Sequence, residues 1–107
     1  MVETEDLYTM SNLSPRRTGL PFVVWISPQG GALHDIRVKV SRSPKVLPGE
    51  FITVTIRPTV EVIGGHLPAH ELELLRRWIE LNREVLIQFW DGQIEYTEDV
   101  LDRLRSI

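Results

Sequence analysis

Few residues in this chain are of a type that does chemistry. There are three histidines and no cysteine, which removes disulfides, thiolate nucleophiles and zinc sites built on sulfur. His34 is followed by Asp35, and an imidazole beside a carboxylate can move a proton as general base or acid. Neighbours along a strand point to opposite faces, which argues against direct pairing of the two. His34 is therefore the single catalytic candidate, and it matters only if it shares a face with Arg37, Lys39 or Arg57. Such a cluster is ribonuclease-like: His34 moves the proton and the cations stabilise a phosphorane-like transition state.

His66 and His70 stand four apart, the spacing at which two helical imidazoles can share a metal. His66 precedes Pro68 and is expected outside the helix, so no metal site is assigned. No cofactor is expected either. The glycine pairs 30–31 and 64–65 match neither a P-loop nor a dinucleotide fingerprint, and no serine sits in a nucleophile-elbow pattern.

The cations offer a second kind of chemistry. Arg37 and Lys39 alternate along one strand and Thr53, Thr55 and Arg57 along another, so all five are expected on one outward sheet face, with Arg16 and Arg17 nearby. Cations and hydroxyls contact phosphates, and an aromatic such as Phe51 can stack on a base. Arg37, Lys39, Arg57, Arg16 and Arg17 are thus the nucleic-acid candidates, although any solvated antiparallel face carries the same residue types. The net charge of −3 hides an asymmetry. Residues 15–58 hold seven Lys/Arg against two acids, while residues 59–107 hold five Arg against ten acids. The halves can neutralise each other, or the chain can present a basic face to an acidic partner.

These residues must be positioned by a fold, and its elements are legible. A length of 107 residues, with 42% hydrophobic and 25% charged content, describes one globular domain. Residues 1–18 are polar and without period, and read as a flexible N-terminal arm. Residues 19–107 read as a single α+β domain. Leu20–Ile26 is apolar at nearly every position, as in a strand covered on both sides. Ser27-Pro28-Gln29-Gly30-Gly31 is a turn. Ile36–Val40 and Phe51–Arg57 alternate, with Ile36, Val38, Val40, Ile52, Val54 and Ile56 inward. Pro58 interrupts the ladder and Thr59–Ile63 resumes it, as one bent strand or two.

From Pro68 to Asp91 the period changes. Leu74, Leu75, Trp78, Ile79, Val85, Leu86 and Phe89 recur at three and four, which predicts one long amphipathic helix. Pro68 suits its first turn, Gly92 its end, and Asn82 falls inside the apolar stripe as a bend or break. A short helix near Thr97–Arg105 follows, with Thr97 as its cap. The expected architecture is a small antiparallel sheet of three to four strands packed against the long helix and the short C-terminal helix. Leu72, Trp78, Phe89 and Trp90 exceed what so small a sheet can cover. They are the candidates for a protein interface, either a homodimer or another partner, the alternative being that the C-terminal helix and N-terminal arm cover the surplus.

Glu3, Glu5 and Asp6 open the chain without an apolar run, unlike a signal peptide, and Leu20–Ile26 is far too short to span a membrane. The expectation is a cytoplasmic protein with no membrane partner. Two stretches also resemble a known family. They are His34 with the strand Ile36–Val40, and then Val62-Ile63-Gly64, Leu67-Pro68, Leu74, Trp78, Asn82, Leu86 and Trp90, within residues 19–92. The chain resembles a family of small bacterial proteins known as a domain of unknown function and often found beside toxin–antitoxin-type genes. Where the family shows Pro-Pro-His-x-His, this chain has Ala32-Leu33-His34-Asp35-Ile36, so only one histidine is shared. The resemblance implies a fold rather than an activity. The expected function is a non-enzymatic interaction module, toxin–antitoxin-associated, with nucleic-acid binding or a small ribonuclease on the basic sheet face as the alternative.

Overall fold

The computed structural model describes residues 10–107. Five strands form one antiparallel sheet in sequential order: β1 Ser11–Leu13, β2 Val23–Ile26, β3 Arg37–Ser41, β4 Ile52–Thr55 and β5 Glu61–Gly64. A one-turn helix α1 Pro15–Thr18 joins β1 to β2. The long helix α2 Ala69–Trp90 and the short α3 Thr97–Arg103 follow the sheet.

The register sorts the side chains onto two faces. Leu13, Val24, Val40 and Ile52 lie in one row, and Val38, Val54 and Val62 in another. These rows share one interior with Leu75, Trp78, Ile79, Leu86, Phe89 and Trp90 of α2 and Val100 of α3. The period-two and period-three-to-four patterns therefore meet in one dry layer, the arrangement expected of an α+β fold. Burying each large apolar side chain there contributes about 1.5–3 kcal/mol.

Three details depart from expectation, and one open choice is resolved. The sheet gains a fifth strand from residues read as arm. Ser11–Leu13 pairs with Val24–Ile26, Leu13 is 1% exposed, and Ser14 accepts from the Arg17 N–H to cap α1. Three residues with a single apolar side chain show no period, so this strand leaves no trace in the sequence. Residues 1–9 of the expected arm lie outside the described residues. Around Pro58 the open choice resolves to two strands: β4 and β5 form a hairpin whose turn contains a cis Arg57–Pro58 bond. The Thr55 hydroxyl donates to the Thr59 carbonyl and accepts from the Glu61 N–H, closing that turn.

The other two departures lie in the helices. Tyr96, not Thr97, caps α3, with no side-chain cap bond. Asn82 neither bends nor breaks α2, which runs unbroken for 22 residues; its carboxamide instead grips the chain beyond α3. Gly92 ends α2 as expected, in the left-handed region at φ 80°.

Candidate functional site

Among the described residues no helix lies on the second face of the sheet, although Val23 and Ser41, paired at one end of it, are buried. Across it run Asn12, Trp25, Lys39, Thr53 and Gly64 in one row, and Arg37, Thr55 and Glu61 in the next. Strand alternation produces this set apart from Gly64, because each of the others neighbours a buried core residue in sequence, while Gly64 joins the row through the register shift at Thr53/Val54. Trp25 and Phe51 are half-buried and meet edge to face, with centroids 5.3 Å apart. The Lys39 ammonium sits 5.5 Å from the centroid of the Phe51 ring, a cation–π arrangement that holds the charge at the surface. The Trp25 Nε1–H donates to the Ser41 hydroxyl at 2.8 Å, and that hydroxyl donates to the Ser43 carbonyl. The indole is thereby fixed in place.

At one end of this face lies a small cleft. The loop between β2 and β3 walls it with Ser27, Pro28, Gln29, Ala32 and His34, the sheet contributes Trp25, Arg37 and Lys39, and Trp90 of α2 and Met10 complete it. The loop is tied to the end of α2, since the Gln29 N–H donates to the Trp90 carbonyl at 3.0 Å. His34 stacks on Trp90 at 5.7 Å and 30°, and its Nδ1 lies 2.7 Å from the Asp35 carbonyl oxygen. A ring nitrogen donating there leaves Nε2 as the nitrogen that can exchange protons or accept. Among the described residues the lining contains two cations, an imidazole, an amide and a hydroxyl, and no carboxylate. Arg37 and Lys39 have no acidic side chain within ion-pairing distance among the described residues. The cleft is partly open to solvent, and the void within it is about 20 Å³.

The candidates read from the sequence separate into those the fold gathers and those it does not. His34, Arg37 and Lys39 share the cleft. Arg57 does not join them, because it makes a bidentate pair with Asp35, Nε to Oδ2 at 2.8 Å and Nη2 to Oδ1 at 2.9 Å. That pair ties the β2–β3 loop to the end of β4. The Arg57 hydrogen bond, helped by the Ile36 N–H, holds the Asp35 carboxyl below its ordinary value. Arg16 and Arg17 are exposed on α1 and line a separate depression with Leu104 and Ser106, where Arg17 donates to the Leu101 carbonyl.

Three of the four interface candidates lie in the core. Trp78 is 0% exposed, Trp90 3% and Phe89 4%. Leu13 of β1 and Val100 of α3 join the same core, while Leu72 is half-exposed and Leu81 of α2 stays 46% exposed. Two features were missed: Trp25, whose position opposite Val24 and Ile26 was legible from strand parity, and the cleft role of Trp90, which only the loop's return to α2 creates. His66 and His70 are exposed, and no group of three His, Asp or Glu side chains is placed to hold a metal among the described residues. No helix among them is long and apolar enough to cross a membrane.

The fold defines the class as α+β, an antiparallel five-stranded sheet backed on one face by helices. Residues 48–91, from the turn before β4 to the end of α2, match the family model described as Domain of unknown function (DUF4160). The match supports a small domain-of-unknown-function family and falls within the 19–92 stretch that resembles one, covering the Val62-to-Trp90 motifs but neither His34 nor β3. No curated protein and no solved structure matches the chain.

Proposed function

We propose that the protein binds single-stranded nucleic acid across the open face of its sheet. The observation that carries this reading is the joint placement of Trp25, Phe51, Lys39 and Arg37 on that face, with cations free of carboxylate partners among the described residues. Bases stack on aromatic faces whatever their sequence, and cations track the backbone, so such a surface binds single strands with little sequence preference. Thr53 and Thr55 add hydroxyls that can donate to phosphate oxygens. A double helix suits the surface less well, because its bases are already stacked.

Ribonuclease chemistry on the same surface has one supporting feature, the presence of His34 beside Arg37 and Lys39. Strand cleavage needs one group to take a proton and another to return one, and the cleft lining holds a single imidazole. A protein partner docking on α2 has less support, since Trp78, Phe89 and Trp90 belong to the core.

The test is fluorescence anisotropy with labelled single-stranded RNA and DNA and their duplexes, at low salt. The Arg37→Gln/Lys39→Gln double variant is expected to bind at least about tenfold more weakly than wild type while keeping its thermal midpoint. Equal affinity in the two proteins, or no measurable binding by wild type, sinks the proposal.

A further inference from the structure

We infer that the cleft takes the phosphorylated end of the bound strand, a terminal phosphomonoester rather than an internal phosphodiester; this rests on the single-strand reading above. Two observations point to an end. The cleft lies where the β2–β3 track stops, against a wall of Ser27, Pro28, Gln29 and Ala32 with Trp90 beside it. A strand running through needs a way out past that wall, whereas a strand that terminates does not. The void of about 20 Å³ is far below the roughly 300 Å³ of a pocket that encloses a ring-bearing ligand. Bases therefore stay outside, on Trp25 and Phe51, and only a small group enters.

The lining also selects the charge of that group. A phosphomonoester carries close to two negative charges at neutral pH and three strong acceptor oxygens, against one charge for a phosphodiester. Arg37 and Lys39 answer two charges, and the guanidinium can grip two oxygens at once. Gln29 and Ser27 offer further donors, and no carboxylate among the described residues of the lining opposes an anion. The bidentate Asp35–Arg57 pair keeps the carboxylate next to His34 occupied and braces the loop that forms the wall.

The experiment is competition against a labelled single strand, using unlabelled forms of one short sequence: 5′-phosphorylated, 3′-phosphorylated, hydroxyl at both ends, and circular. One phosphorylated linear form is expected to compete at least about tenfold better than the hydroxyl-ended and circular forms. That advantage should vanish in Arg37→Gln, whose fold is checked by circular dichroism, and persist in Arg16→Gln on the far depression. If the circular and hydroxyl-ended forms compete as well as the phosphorylated ones, end recognition is overturned and the sheet-face reading stands. If no form competes, both fall.

Discussion

The side-chain amide of Asn82 holds both backbone polar groups of Arg105. Its Oδ1 accepts from the Arg105 N–H at 2.7 Å, and its Nδ2 donates to the Arg105 carbonyl at 2.9 Å and to the Trp78 carbonyl at 2.9 Å. Asn82 is 1% exposed in the middle of α2, so its polar atoms need these partners. The chain after α3 is thereby pinned, and the Ile107 N–H then donates to the Thr18 carbonyl. Asn82→Ala is expected to cost about 1–2 kcal/mol, since the freed Arg105 groups regain water but the tail loses its anchor. Chemical denaturation measures the loss, and amide exchange should show Arg105 and Ile107 deprotected while the centre of α2 stays slow. Unchanged exchange at those two amides rules out the clamp.

A second ion pair sets the acid limb of stability. Arg42 bridges both oxygens of Glu71 at 2.6 and 2.9 Å, and the Glu71 side chain is 12% exposed against 55% for Arg42. The Arg42 hydrogen bonds hold the Glu71 carboxyl below its ordinary value, against the opposing effect of burial. A carboxyl depressed in the folded state stabilises the fold at pH above its unfolded value. That contribution is lost as pH falls through the folded value. Denaturation midpoints should therefore be flat from neutrality down to about pH 5 and fall below about pH 4. Glu71→Gln should lower stability at pH 7 by about 1 kcal/mol, a figure held down by the exposure of Arg42. Its gap from wild type should close toward pH 3; a constant gap across the range contradicts the assignment.

Much of this fold is written in short-range pattern. The alternation of Ile36, Val38 and Val40 and of Val54 and Ile56 gave the inward face of β3 and β4, and the 3.6-residue stripe gave α2 with its stop at Gly92. Features that depend on distant partners were not legible. β1 has one buried apolar residue in three, too little to show a period, and it exists because the edge of β2 offers a ladder. Asn82 read as a helix irregularity because its partner lies 23 residues away. Arg57 read as a free cation because Asp35, 22 residues earlier, is brought to it by the β2–β3 loop. The candidate site divides in the same way: Arg37 and Lys39 follow from strand parity, whereas Trp90 reaches the cleft only through tertiary structure.

Salt dependence gives a sharper test of the basic face than affinity alone. Each phosphate neutralised in a single strand contributes a slope of roughly −0.7 to log K against log salt. Arg37 and Lys39 lie on the binding face, while Arg57 is already paired with Asp35 and Arg16 lies elsewhere. The Arg37→Gln/Lys39→Gln variant should bind with a slope shallower by about 1.4, and Arg16→Gln should leave it unchanged. A slope that moves equally for all of them means diffuse attraction to net charge and no defined face.

Trp78 tests whether the aromatic residues of α2 serve the core or a partner. It is 0% exposed, and its Nε1–H has no acceptor among the described residues. Removing the whole side chain leaves a large cavity, so Trp78→Ala should cost about 3–5 kcal/mol. Trp78→Phe shrinks the ring but also removes a buried donor whose unsatisfied burial costs about 1–3 kcal/mol. The two effects oppose, and the Phe variant should therefore lie within about 1 kcal/mol of wild type. Denaturation curves separate the two variants, and light scattering on the folded Phe variant should return the wild-type mass. An interface residue would reverse this pattern: Trp78→Ala would leave the denaturation midpoint in place and change the mass instead.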